Sequence, residues 1–124
     1  MYDRELIRTI LGQILQSIET IRDRFEPVAD SAYFTSSPQG MEKLDAICMQ
    51  LITIGESIKN LDKITEGNML GRYPQIDWRG AKGMRDIICH QYFDVDADAI
   101  YDVCANKLSP LAEVIERMLR ELNT

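Results

Sequence analysis

The chain reads as an all-α protein, a four- to five-helix up-down bundle. Three observations predict this. Apolar residues recur at steps of three and four through two long segments and two further ones. No segment shows a convincing strand alternation. The stretches between the periodic segments are short and carry Pro, Gly and Ser, the residues of turns. Two long helices and two further ones on short connections are the ingredients of a bundle.

The first pattern starts at Leu6 and continues through Ile7, Ile10, Leu11, Ile14, Leu15, Ile18, Ile21 and Phe25. Pro27 ends it or marks its last turn, because proline has no N–H to donate and disfavours helix in the residue before it. Residues 27–40 form a connection, with a short helical piece around Ala29 to Phe34. Ser37-Pro38 has the form of a helix start, a capping hydroxyl followed by proline at the first helical position. The second long pattern runs from Met41 through Leu44, Ile47, Cys48, Leu51, Ile52, Ile54, Ile58 and Leu61. Gly55 interrupts it at a cost of about 1 kcal/mol relative to alanine. It marks either the close approach of another backbone or a tolerated small residue. A second connection, 65–76, leads to Asp77, a predicted N-cap for a third helix over 78–93. The last pattern starts near Asp96, and its acidic first turn suits the positive end of the helix dipole. Ser109-Pro110 is expected to kink or split this last helix.

The 124 residues suit a single domain, 1–124. Hydrophobic residues make up 45% and charged residues 27%, a globular composition. No apolar run reaches membrane-spanning length. The charged start, Met1-Tyr2-Asp3-Arg4-Glu5, does not resemble a signal peptide. Three cysteines without close pairing argue against a disulfide framework and fit a reducing cytoplasm. One histidine and scattered carboxylates give no metal-ligand spacing, so neither metal nor cofactor is expected. The net charge of −6 argues against broad nucleic-acid binding, so positive charge for an RNA would have to be local. Arg72, Arg79, Lys82 and Arg85, set against Asp77 alone between 72 and 85, are the candidates.

The chemistry concentrates around His90. A histidine near neutral pKa can move a proton, and an arginine can neutralise charge growing on a phosphate. On a continuous helix Asp86 and His90, four apart, would touch, and Arg85 and Tyr92 would share a face. Arg85 and His90 would stand about 140° apart, too far for one helix to aim both at one phosphate. Two copies about a two-fold axis would solve this with a composite cleft, so a homodimer is expected to form the site. Taken alone, His90 would more often be structural and Tyr92 a packing residue. Glu56 reads equally as a cleft residue and as a solvated one, and Trp78 reads as a core anchor.

Arg85, four residues, His90, one residue and Tyr92 resemble the R-x4-H-x-Y motif of HepT-like HEPN proteins, the toxin half of nucleotidyltransferase–HEPN modules. Ile54-Gly55-Glu56-Ser57-Ile58-Lys59 is similar to that family's I-G-E-A-x-K helix. Tyr73-Pro74 through Asp77-Trp78 and then Gly83-Met84-Arg85-Asp86 resembles its P-x-x-x-W…G-M-R-[ND] stretch. Leu108-Ser109-Pro110-Leu111 resembles a later L-P-x-L segment with one extra residue. The resemblance implies a homodimer with a shared cleft and a metal-independent endoribonuclease in which the ribose 2′-hydroxyl attacks its own phosphate. Arg85 and His90 would be catalytic, with Asp86, Tyr92 and Glu56 in support and Arg72, Arg79 and Lys82 on the RNA. It also implies a nucleotidyltransferase antitoxin that transfers AMP to Tyr92. Many family members have asparagine where this chain has Asp86, whose charge can favour protonated His90 and weaken RNA binding. The alternative reading is therefore a non-catalytic helical module that recruits the nucleotidyltransferase. 

Overall fold

The computed structural model describes residues 2–91 and 94–123, with the backbone alone at 87, 89–91 and 94. Helix α1 spans Arg4–Phe25. It starts where the Asp3 carboxylate accepts the Leu6 N–H at 3.1 Å, which satisfies one of the donors a helix start leaves unpaired. Most of its expected stripe is buried, namely Ile7, Ile10, Leu11, Ile14, Ile18 and Ile21, while Leu15 and Phe25 are partly buried and Leu6 is exposed. Helix α2 is a single turn, Ala32–Thr35, that plugs Phe34 into the core. Helix α3, Pro38–Ile64, opens with the Ser37 hydroxyl accepting the Gly40 N–H at 3.0 Å and Pro38 at the expected first position. It buries Leu44, Ile47, Leu51, Ile54, Ile58 and Leu61. Each such side chain contributes about 1.5–3 kcal/mol by leaving water. Helix α1 packs against α3 and against α7, Leu108–Leu122, and these three carry most of the core. The all-α bundle is the observed architecture.

The third helix departs from expectation. Residues 78–93 do not form one helix. Helix α4 covers Trp78–Lys82, Gly83 breaks the run, and α5 covers Met84–Ile88. The Asp77 cap is present, with the Gly80 N–H at 3.0 Å. Beyond Ile88 the chain is extended: β1, Cys89–Gln91, pairs antiparallel with β2, Asp94–Val95. The Ile88 carbonyl accepts the Asp96 N–H at 2.8 Å across this hairpin. Val95 of β2 is β-branched, a residue type that favours the extended form. The helical relation expected between Asp86 and His90 is therefore absent, and Tyr92 lies outside the described residues.

The last segment also differs in detail. Asp96 caps α6, Ala97–Asp102, through the Ala99 N–H at 3.0 Å. The helical path then neither splits nor stops at Pro110. Residues Val103–Lys107 widen into a π turn, in which the Leu108 N–H reaches back to the Val103 carbonyl, and α7 follows directly. Pro110 has no N–H to give the Asn106 carbonyl, and its ring crowds that carbonyl in a regular helix. The wider turn gives this crowding room.

Two contacts dock α4 and α5 on α3. A Cβ on Gly55 would stand 2.9 Å from the Ala81 carbonyl oxygen and 3.1 Å from the Met84 Cβ, so only glycine admits this approach. The Lys82 ammonium meets the Asp62 carboxylate at 2.9 Å, with both side chains largely shielded from water. Gly55→Ala should therefore cost about 1–3 kcal/mol by overpacking. Gly12→Ala, on an open stretch of α1 with nothing within 4 Å of the new Cβ, should gain about 0.5–1 kcal/mol. Urea-unfolding midpoints measure both, and equal stability of the two variants would disprove the close approach. Lys82→Met should lower stability by about 1 kcal/mol, because it strands Asp62 in a half-shielded position. The same unfolding curves read this, and an unchanged midpoint would remove the ion pair from the docking account.

Candidate functional site

The site segment is fixed from behind and open in front. Upstream, the Tyr73 hydroxyl donates to Glu121 of α7 at 2.6 Å, and the Trp78 indole N–H donates to the Tyr73 carbonyl at 2.8 Å. These bonds tie the connection before α4 to the bundle. Burial pushes the Tyr73 phenol up from its usual range, and the hydrogen bond and negative charge of Glu121 push the same way. Trp78 is the expected anchor, though only partly buried. In α5, Met84 and Ile88 point into the core while Arg85 and Asp86 are exposed. The backbone that carries Arg85 is thus held by the core face of α5, and its exposed guanidinium is a donor fork of the kind that suits a phosphate.

His90 lies on β1, two residues beyond the end of α5. Its side chain, like Tyr92, lies outside what is described. The structure thus puts Arg85 and the backbone of His90 on consecutive elements joined without a loop.

The other sequence-predicted residues divide. Arg79 is exposed on α4. Arg72 is exposed and stands 4.0 Å from Glu121, a loose pair. Lys82 is committed to Asp62, so its charge is already spent on holding α4 to α3. Glu56 is exposed on α3 and pairs with Lys59 at 3.0 Å. It follows Gly55, whose backbone meets Ala81 and Met84. Sequence reasoning missed Asp62 and Glu121, the partners of Lys82 and Tyr73. Both sit among polar residues on exposed helix faces, and no local pattern marks a contact twenty or forty-eight positions away.

Among the described residues no three His, Cys, Asp or Glu side chains are grouped to hold a metal ion. Burial pushes the Cys104 thiol up to about 12, with Cys48 adding to the effect, so it is a poor nucleophile at neutral pH. Among the described residues no helix is long and apolar enough to cross a membrane.

Comparison with known proteins places this chain in a family. The model of the family described as "Ribonuclease HepT-like" matches residues 14–118. The chain is 27% identical to the Methanocaldococcus jannaschii protein named "Putative RNase", over 94% of this chain and 89% of that one. It is 31% identical to a second protein of that organism, "Gamma-glutamylcyclotransferase and putative RNase", over 97% of this chain but only 50% of that longer one. A "Putative RNase" of Caldanaerobacter subterraneus subsp. tengcongensis is 25% identical over 92% of this chain and 95% of its own. No solved structure gives a significant match. The match covers the bundle from the middle of α1 to the last turns of α7, and with it the whole Arg85–His90 segment: the chain belongs to the HepT-like ribonuclease family.

Proposed function

We propose that the chain is an endoribonuclease and the toxin of a toxin–antitoxin pair, with Arg85 and His90 as its catalytic residues. The observation that carries this reading is the exposed Arg85 on core-anchored α5, followed at once by the strand that bears the sole histidine. Family membership and the names of the relatives support it.

The reaction needs no metal in this reading. The 2′-hydroxyl loses its proton to a base and its oxygen bonds to the adjacent phosphorus. The bond from phosphorus to the 5′-oxygen breaks, and that oxygen takes a proton, leaving a cyclic phosphate. His90 serves as base or acid, and Arg85 binds the phosphate oxygens as their charge grows. Holding the 2′-hydroxyl in line with the leaving oxygen supplies the rest. Because His90 stands on a strand and not on the Arg85 helix, the two groups need not be reconciled on one helical wheel. Homodimerisation completes the cleft in this proposal. Arg79 and Arg72 bear on the RNA backbone; Lys82, given its pairing with Asp62, acts on RNA only indirectly through the placement of α4.

A nucleotidyltransferase antitoxin is the proposed partner, and Tyr92 its target. An AMP group there adds bulk and negative charge near Arg85, which repels an RNA phosphate. A second reading is favoured by one observation, the exposed carboxylate of Asp86 beside Arg85. It opposes an incoming phosphate, as expected of a non-catalytic module that recruits the nucleotidyltransferase.

The test induces wild type, Arg85→Ala and His90→Ala without antitoxin, then follows growth and cellular RNA. In parallel, purified proteins of verified helical content are given RNA. Wild type should stop growth and leave cyclic phosphate ends. His90→Ala should lower cleavage by about 10²–10⁴-fold and Arg85→Ala by about 10²–10³-fold, and both should relieve toxicity. A well-expressed wild type that neither stops growth nor cuts RNA sinks the enzyme reading in favour of the recruiting module.

A further inference from the structure

Ala81 and Met84, the residues that meet α3 at Gly55, also wall a cavity of about 270 Å³ between α4–α5 and the π turn with the start of α7. Its lining is apolar where it is deep: Ile76, Ala81, Met84, Val103 and Leu111. Polar groups line it as well, from Gln75, Asp77, Asn106 and Lys107. The Asn106 amide N–H donates to Asp102 at 2.8 Å, which leaves its amide oxygen as an acceptor. One Asp77 oxygen takes the Gly80 N–H, and the other remains an acceptor. Lys107 is exposed and held loosely at 3.6 Å from Asp102, so its ammonium can be given up to a ligand. Apolar walls with a few separated acceptors and donors suit a flat ring with a polar edge. A nucleobase has that form: two apolar faces, exocyclic amino donors, and ring nitrogens and oxygens that accept. The thioether of Met84 is a polarizable surface for such a face.

Position decides what presents the base. Met84 is the residue before Arg85, with Cα atoms about 3.8 Å apart. The two side chains leave α5 about 100° apart, Met84 towards the cavity and Arg85 outward, so the cavity lies beside the helix that carries the guanidinium. Proteins that read RNA by sequence do so mostly on bases splayed out of the stack. The π turn gives the cavity its second wall. It widens the helix where Asn106 and Lys107 stand, a place where π turns commonly serve a site.

We propose that this cavity holds the base of the nucleotide next to the phosphate bound at Arg85, preferring bases with an exocyclic amino group. This rests on the RNA reading of the site. The cavity then sets which sequences are cut, while Arg85 and His90 set that cutting occurs.

The test uses the full chain with 13C-methyl methionine, the Met84 resonance being assigned through Met84→Leu. It is titrated with 2′-O-methyl trinucleotides, which cannot be cleaved because the attacking hydroxyl is blocked, and separately with AMP and CMP. A dilution series of the protein alone accompanies them. The Met84 methyl should shift saturably with an adenine- or cytosine-containing trinucleotide. The exposed Met41 and Met49 on α3 should stay in place. Asn106→Ala, at an exposed position, should weaken that binding about fivefold. Val103→Phe, which fills the cavity, should abolish the Met84 shift. Binding that moves other resonances but not Met84 overturns the cavity while leaving the RNA reading intact. No binding of any trinucleotide overturns both. A mononucleotide bound as tightly as the trinucleotide makes this a free-nucleotide site, and a Met84 shift on dilution alone makes it a surface covered by a second copy; either result overturns the proposal.

Discussion

The approach of the α4–α5 backbone to Gly55 is the constraint on which the rest of the molecule depends. A helix that needs a side chain at every position keeps its neighbour at a distance set by that side chain. With a hydrogen at position 55, the Ala81 carbonyl and the Met84 Cβ come to within about 3 Å of where a Cβ would be. That distance seats Met84 and Ile88 in the core and turns Arg85 and Asp86 outward. The Lys82–Asp62 pair pins the same contact laterally. The glycine costs helix propensity in α3, and the packing it permits offsets that cost. 

The site follows from this docking. An acidic protein must gather its positive charge locally if it is to meet a phosphate, and rigidity makes one arginine effective. Arg85 rises from a five-residue helix that would not be stable alone. It is held because its opposite face is part of the core and because Tyr73 and Trp78 fasten the approach to α4. Folding thereby fixes the backbone from which the Arg85 side chain departs. The π turn works in a comparable way on the other side. Pro110 removes a donor and adds a ring, the helix widens in the preceding turn, and residues of that turn share a cavity with Met84.

Much of the frame was legible residue by residue. Ser37 and Asp77 were legible as caps, and each accepts a backbone N–H three residues on. Asp3 and Asp96 do the same, where the sequence reading had only a charged start and an acidic first turn. The stripes of α1 and α3 are buried for most of their length, with Leu6 and Met41 at their starts exposed and Leu15, Phe25 and Ile52 partly buried. Gly55 was left between two readings, and the close approach to Ala81 decides it. The end of α5 was not legible. Residues 78–93 carry apolar side chains at helical steps, yet their fate hangs on the pairing of Cys89–Gln91 with Asp94–Val95 and on one bond from Asp96 to Ile88. Those partners are supplied by chain folding back on itself, which no helical periodicity records.

The sequence by itself determined the helical class and the starts at Ser37 and Asp77, and it singled out Arg85 and His90 as the candidate residues for chemistry. It could do so because caps, stripes and motifs are relations between residues a few positions apart. Only the tertiary structure decided that Arg85 and His90 stand on different elements, that Lys82 is bound to Asp62, and that a cavity opens next to Met84. These relations depend on the pairing of β1 with β2, on an ion pair between helices and on how closely α4 and α5 approach α3 at Gly55, all of them contacts between residues brought together only by folding.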